Sequence, residues 1–161
     1  MIKGILIMVG ITFIPALELR ASIPWGLIKH MDWRVVFVVA VAANFLLGVI
    51  LYPLMDLIMK LMQRIPFVHR IWAKYVERTR VKIHAGVEKY GEWAIGVFIG
   101  VPLPGTGVYS GALAAYLIGL SFRKFLVANL IGVVMAGVLV MAVCLTGNAV
   151  LLKWFATSPG T

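Results

Sequence analysis

A single cysteine, Cys144, stands in the 161-residue chain, so no internal disulfide can form, and its apolar surroundings make it a small hydrophobe. The three histidines, His30, His69 and His84, lie in connectors with no Cys or His at metal-ligand spacing, which predicts no metal site. Acidic residues are scarce, six against fifteen Lys and Arg, and they form no paired-carboxylate site. No nucleophile–base set and no glycine-rich nucleotide loop occurs either, so the sequence points away from an enzyme and calls for no cofactor. The formal charge of +9 could suit nucleic acid, but eight of the fifteen basic residues fall between Lys60 and Lys89 and most others sit at the ends of apolar runs. That distribution fits a cytoplasmic loop beside anionic lipid and no nucleic-acid partner.

What the chain has in abundance is apolar sequence. Hydrophobic residues make up 62% and the mean hydropathy is +1.00, which excludes an ordinary soluble core. The apolar runs are of membrane-spanning length, so a single integral membrane domain over 1–161 is expected. Lys3 and the run Gly4 to Leu17 resemble the start of a signal peptide. No small-x-small cleavage site follows convincingly, and the segment is expected to be retained.

Two of the runs are interrupted. In the stretch Ile99 to Gly111, Pro102 and Pro104 remove backbone donors, and Gly105 and Gly107 allow angles closed to other residues. A broken backbone survives in hydrocarbon only against protein or a water-filled cavity, and such breaks mark the sites of many transporters. A proline-kinked helix is the plainer alternative. The first run, Ile5 to Ile28, is broken in the same way between Pro15 and Pro24, and that break carries Glu18 and Arg20.

The order of elements repeats. A first half, 1–59, holds a broken segment (5–28), a connector and a span (35–58); a second, 93–148, holds a broken segment (93–120), a connector and a span (125–145). Between them, 60–92 is basic, and from Pro66 to Tyr90 its apolar residues recur at roughly helical spacing, which suits an amphipathic cytoplasmic or interfacial helix. Lys153 to Thr161 reads as a frayed tail. Asn44 and Asn129 sit in a shared Ala-Asn frame on the two spans; they could bond the tips of the broken segments or glue helix to helix.

Length suggests that the broken segments turn back. Trp93 to Val101 would rise about 14 Å as helix and Val108 to Leu120 about 20 Å, against a hydrocarbon core of about 30 Å. For the first segment the limbs are about 15 Å and about 12 Å. Two re-entrant hairpins facing each other would make the halves inverted repeats. Charge bias places 60–92 inside and leaves the choice between hairpins and four crossings open.

The paired motifs Pro15-x-x-Glu18-x-Arg20-x-x-Ile23-Pro24 and Pro102-x-Pro104-Gly105-Thr106-Gly107, with Gly111, resemble the small multidrug export family, a short branch of the DedA superfamily of membrane proteins. The resemblance covers essentially the whole chain. It implies two facing re-entrant hairpins, each followed by a spanning helix, and proton-coupled transport or lipid translocation at the cell's inner membrane. Better-studied DedA proteins carry arginines around the second Pro-Gly turn, where this chain has Gly100, Val101 and Gly107, so an arginine-based phosphate site is not carried over.

Glu18 and Arg20 are the residues expected to do the work. Charges at membrane depth are costly and face a cavity or a partner. Burial disfavours the charged form of a carboxylate, which qualifies an intramembrane glutamate as a proton carrier. Arginine offers a planar fork for carboxylate or phosphate. In an extended break, positions 18 and 20 would lie on one side and share a cavity; a static ion pair holding the tip is the competing reading. The expected site is thus Glu18, Arg20, Pro15, Pro24, Pro102, Pro104, Gly105, Thr106, Gly107, Asn44 and Asn129, with Tyr109 and Ser110 as weaker candidates. Expected partners are membrane lipids, an anionic lipid or small amphiphilic substrate, and further copies of the chain. Proton-coupled transport, an uncoupled scramblase or channel, and a structural subunit remain as functions.

Overall fold

The computed structural model describes residues 2–15, 17–64, 92–101 and 106–157. The amphipathic segment 66–90, Pro102, Pro104 and Gly105 lie outside them. Among the described residues are six helices: α1 (Ile2–Thr12), α2 (Glu18–Ile28), α3 (Trp33–Arg64), α4 (Glu92–Gly100), α5 (Val108–Leu117) and α6 (Phe122–Thr157). The all-helical expectation holds for them. Four helices are short, at about 14–16 Å each, which is half of a hydrocarbon core. α3 and α6, at about 48 Å and about 54 Å, outrun it.

Three boundaries depart from the sequence reading. The first break is shorter than Pro15 to Pro24, because Pro24 lies inside α2. A proline there forfeits one helical bond, and packing of α2 against α1, α3 and α6 outweighs that local cost of about 3 kcal/mol. α3 runs on through Pro53 to Arg64. α6 continues to Thr157, so Lys153 to Thr157 are helical rather than frayed.

α2 folds back along α1. A Cβ on Gly26 would meet Met8, one on Gly4 would meet Met31, and Thr12 contacts Ser22. In the second half α5 turns back on α4, where Ile99 fills the space beside Gly111. Each hairpin packs on its own long helix, and each return helix also packs on the long helix of the other half: α2 on α6, α5 on α3.

The long helices run antiparallel. Gly137 faces Phe37 and Val41, while Asn129 faces Phe45 and Gly48. The two connectors consequently lie at opposite ends of α3. The chain enters α3 at Trp33 from the first connector, whereas Tyr52 donates to the Leu120 carbonyl and stacks on Phe125 with ring centroids 4.6 Å apart. Trp33 and Tyr52 are nineteen residues apart, about 29 Å of helix.

The surface is inverted relative to a soluble protein. Leu46, Ile50, Leu54, Leu57 and Leu61 on α3, and Val127, Leu130, Val134, Val138 and Val143 on α6, are exposed, while Glu18, Ser22, Asn44, Ser110 and Asn129 are buried. Trp33–Leu61 and Phe122–Gly147 are long and apolar enough to cross a bilayer, each with a mean hydropathy of 2.6 in its core window.

Candidate functional site

The two breaks meet. After Thr12 the backbone makes tight turns instead of extending: Ile14 N–H donates to Ile11 at 3.1 Å, and Leu17 and Glu18 N–H both donate to the Ile14 carbonyl. Glu18 then opens α2 with φ 48°, a left-handed angle that costs a side-chain-bearing residue on the order of 1–3 kcal/mol. The extended geometry expected for positions 18 and 20 is therefore not what forms. Both lie in the first turn of α2 and leave it in different directions, yet both reach the second break.

Glu18 is buried, with 4% of its surface exposed, and its carboxylate takes the place of an N-cap for α5. Val108 N–H donates to Oε2 at 3.1 Å and Tyr109 N–H to Oε1 at 3.3 Å. These are orphan amides at the positive end of a helix, the environment in which a carboxylate is most stabilised. Gly107, the local cap residue, provides no side-chain bond and has φ 123°, ψ −170°, angles open essentially to glycine alone. A Cβ at Gly107 would fall 2.5 Å from Glu18 Oε2, so glycine is required both by the angle and by the room that the carboxylate occupies.

Arg20 holds the outer side of the same break. Its Nη2 donates to Thr106 Oγ1 at 2.8 Å and lies 3.3 Å from the Val101 carbonyl, while Thr106 Oγ1 donates to that carbonyl at 2.6 Å. Arginine and threonine thus tie the two ends of 101–106 together. In return, Tyr109 donates its hydroxyl to the Phe13 carbonyl at 2.6 Å, clasping the first break from the second half.

These contacts share a frame. Glu18 and Gly107 are the positive-φ residues that open the two return helices, and they touch each other. Arg20 and Tyr109, each two residues further on, reach the first carbonyl beyond the outgoing limb of the opposite half, Val101 and Phe13.

Of the expected site residues, the structure brings Glu18, Arg20, Thr106 and Gly107 together. Pro15 is in the first turn and Pro24 is inside α2, one helical turn beyond Arg20. Asn129 serves the long helices instead, and Asn44 is buried on α3. Asn129 Nδ2 donates to the Phe45 carbonyl at 3.1 Å and its side chain fills the space over Gly48, while the buried Oδ1 atoms of Asn44 and Asn129 accept no hydrogen bond among the described residues. Ser110 donates to the Gly107 carbonyl of its own helix at 3.3 Å, as hydroxyls in membrane helices commonly do.

Sequence reasoning underrated Tyr109 and missed two features. Thr12 Oγ1 donates to the Met8 carbonyl and lies 2.9 Å from Ser22 Oγ, joining the limbs of the first hairpin below its tip. The second is the close pairing of α4 with α6 through Gly96-x-x-x-Gly100 and Ala128-x-x-x-Gly132, whose small-xxx-small spacing was open to view.

The sequence profile of the family described as "Putative small multi-drug export protein" matches residues 18–139. No curated protein and no solved structure matches the chain. The profile spans α2 to α5 and about the first half of α6, and its description is that of an exporter rather than an enzyme. With two helices long and apolar enough to cross a bilayer, the chain is a membrane protein that belongs to this small multi-drug export family.

Proposed function

We propose that the chain is a DedA-like secondary transporter of the inner membrane, multi-pass, with 60–92 cytoplasmic. Its hairpins re-enter the membrane from opposite sides and meet near mid-depth. Half-membrane limbs, antiparallel long helices and connectors at opposite ends of α3 support that arrangement. Four full crossings would make α3 and α6 parallel. The meeting of Glu18 with Gly107 supports inverted halves as well, because equivalent residues of a two-fold pair touch each other only near the axis.

The observation that carries the mechanism is the Glu18 carboxylate held by the α5 amides. In this state it joins the two tips and closes the path between them. Protonation removes the negative charge, weakens both charge-assisted bonds and leaves the helix terminus without its counter-charge. The tips can then part, and the freed amides and the Arg20 guanidinium can meet an anionic lipid or small amphiphilic substrate. A proton on Glu18 is thereby linked to access, which is what coupled transport requires.

The test is flux in liposomes under an imposed pH gradient, with a fluorescent phosphatidylglycerol analogue and a fluorescent amphiphilic cation as probes. Glu18→Gln keeps shape and one acceptor while fixing the neutral state, and should abolish gradient-driven flux in a folded protein. Lipid flux that ignores the gradient would indicate a scramblase. A stable, fully active Glu18→Gln/Arg20→Met double variant would remove both residues from transport.

A further inference from the structure

At the end of α4 remote from the tips, a groove of about 200 Å³ opens between the starts of α4 and α6. Trp93, Arg123 and Lys124 form its rim, and Val127 and Ala128 its floor. The floor owes its shape to the close approach of the two helices, since a Cβ on Gly96 would sit 3.2 Å from the Ala128 carbonyl. Trp93 and Val127 are 60% and 56% exposed, and the apolar face of α6 continues from the groove through Leu130 and Ile131. The place combines two cations and an indole above an apolar track one helical turn deep.

We propose that this groove binds an anionic phospholipid, with the phosphate at Arg123 and Lys124 and an acyl chain along Val127 and Leu130. Neither cation is among the residues that hold Glu18 and Arg20. Three features select this occupant. Tryptophan with lysine or arginine is the pairing that settles at headgroup depth. The rim carries Arg123 and Lys124, which suit a negatively charged headgroup. The track below the rim faces outward along α6, where acyl chains lie.

A variant with Trp25, Trp33, Trp72 and Trp154 replaced by phenylalanine leaves Trp93 as the reporter. It is placed in mixed vesicles of phosphatidylglycerol and phosphatidylcholine in which one lipid or the other carries brominated acyl chains. Brominated phosphatidylglycerol should quench Trp93 several-fold more than brominated phosphatidylcholine at equal mole fraction. Arg123→Gln/Lys124→Gln should erase that preference, and Lys29→Gln/Arg34→Gln, the same charge loss at the other connector, should leave it intact. Equal quenching in the parent, a preference that survives Arg123→Gln/Lys124→Gln, or one lost equally in both double variants overturns the site. Should the groove variant fail to fold, high salt on the parent serves instead: the preference must fall, and a salt-independent preference overturns the proposal.

Discussion

Glu18 and Gly107 divide one small space between them, and the division is set by backbone geometry. The glycine's φ of 123° admits no ordinary side chain, and the carboxylate fills the volume a Cβ would take. Gly107→Ala should therefore cost on the order of 1–3 kcal/mol from strain alone, and more from displacing a carboxylate bonded to two amides. Melting in detergent separates the two parts. In a Glu18→Ala background the alanine should cost only the strain, so non-additivity between the two substitutions measures the contact. Strict additivity would mean that the carboxylate does not occupy the space. Arg20→Lys should keep the charge but lose the geometry that reaches both Thr106 and Val101, lowering the melting point less than Arg20→Met does. The sequence made Glu18 and Arg20 legible as site residues because charge inside an apolar run is costly. Their partners were not legible, since a glutamate that caps a helix ninety residues away leaves no local pattern. Tyr109 was undervalued for the same reason: a tyrosine in an apolar helix is ordinary until a carbonyl of the other half is found beside it.

Between elements, close approach does what polar contacts do at the tips. α4 lies on α6 with backbone against backbone, and a Cβ on Gly132 would come 2.6 Å from the Gly96 carbonyl. Apolar burial contributes little to helix pairing in lipid, so packing at this distance is the main attraction between them. Gly132→Leu should force the helices apart and lower stability by 1–3 kcal/mol or more, on the order expected for overpacking. Gly147→Leu, on the same helix with nothing within 4 Å of its added Cβ, should be neutral or mildly stabilising. Equal effects at the two positions would show that the α4–α6 seam is loose. The breaks themselves were legible from paired prolines and glycines, whereas their extent was not. Pro24 marks a boundary by local rules, but α2 is held on three sides and runs through it. The ends of α3 and α6 were misjudged for a related reason, as hydropathy records the apolar stretch and a helix continues wherever nothing stops it.

For the whole molecule, the direction of the long helices bears on the proposed topology. If the hairpins turn back as proposed, the connector at 29–32 and the one at 118–121 face opposite sides, and a cytoplasmic 60–92 would put the second inside. The contacts of α3 agree with this in two independent ways: its antiparallel pairing with α6, and Tyr52 reaching Leu120 and Phe125 about 29 Å along the helix from Trp33. The repeated order of elements made two halves legible in the sequence, but charge bias could not orient them, since both topologies place equal numbers of basic residues inside. A labelling experiment decides. In a Cys144→Ser background, a cysteine at Lys29 should react with an impermeant thiol reagent in intact cells, and one at Lys124 only after permeabilisation. Labelling of both from outside would mean that the second broken segment crosses completely, and the facing tips would then need another explanation. Labelling of Lys29 alone would leave each return helix on the side from which its hairpin entered. In the proposed mechanism, a proton from either face would then reach the same carboxylate, the one that Val108 and Tyr109 N–H hold in this state.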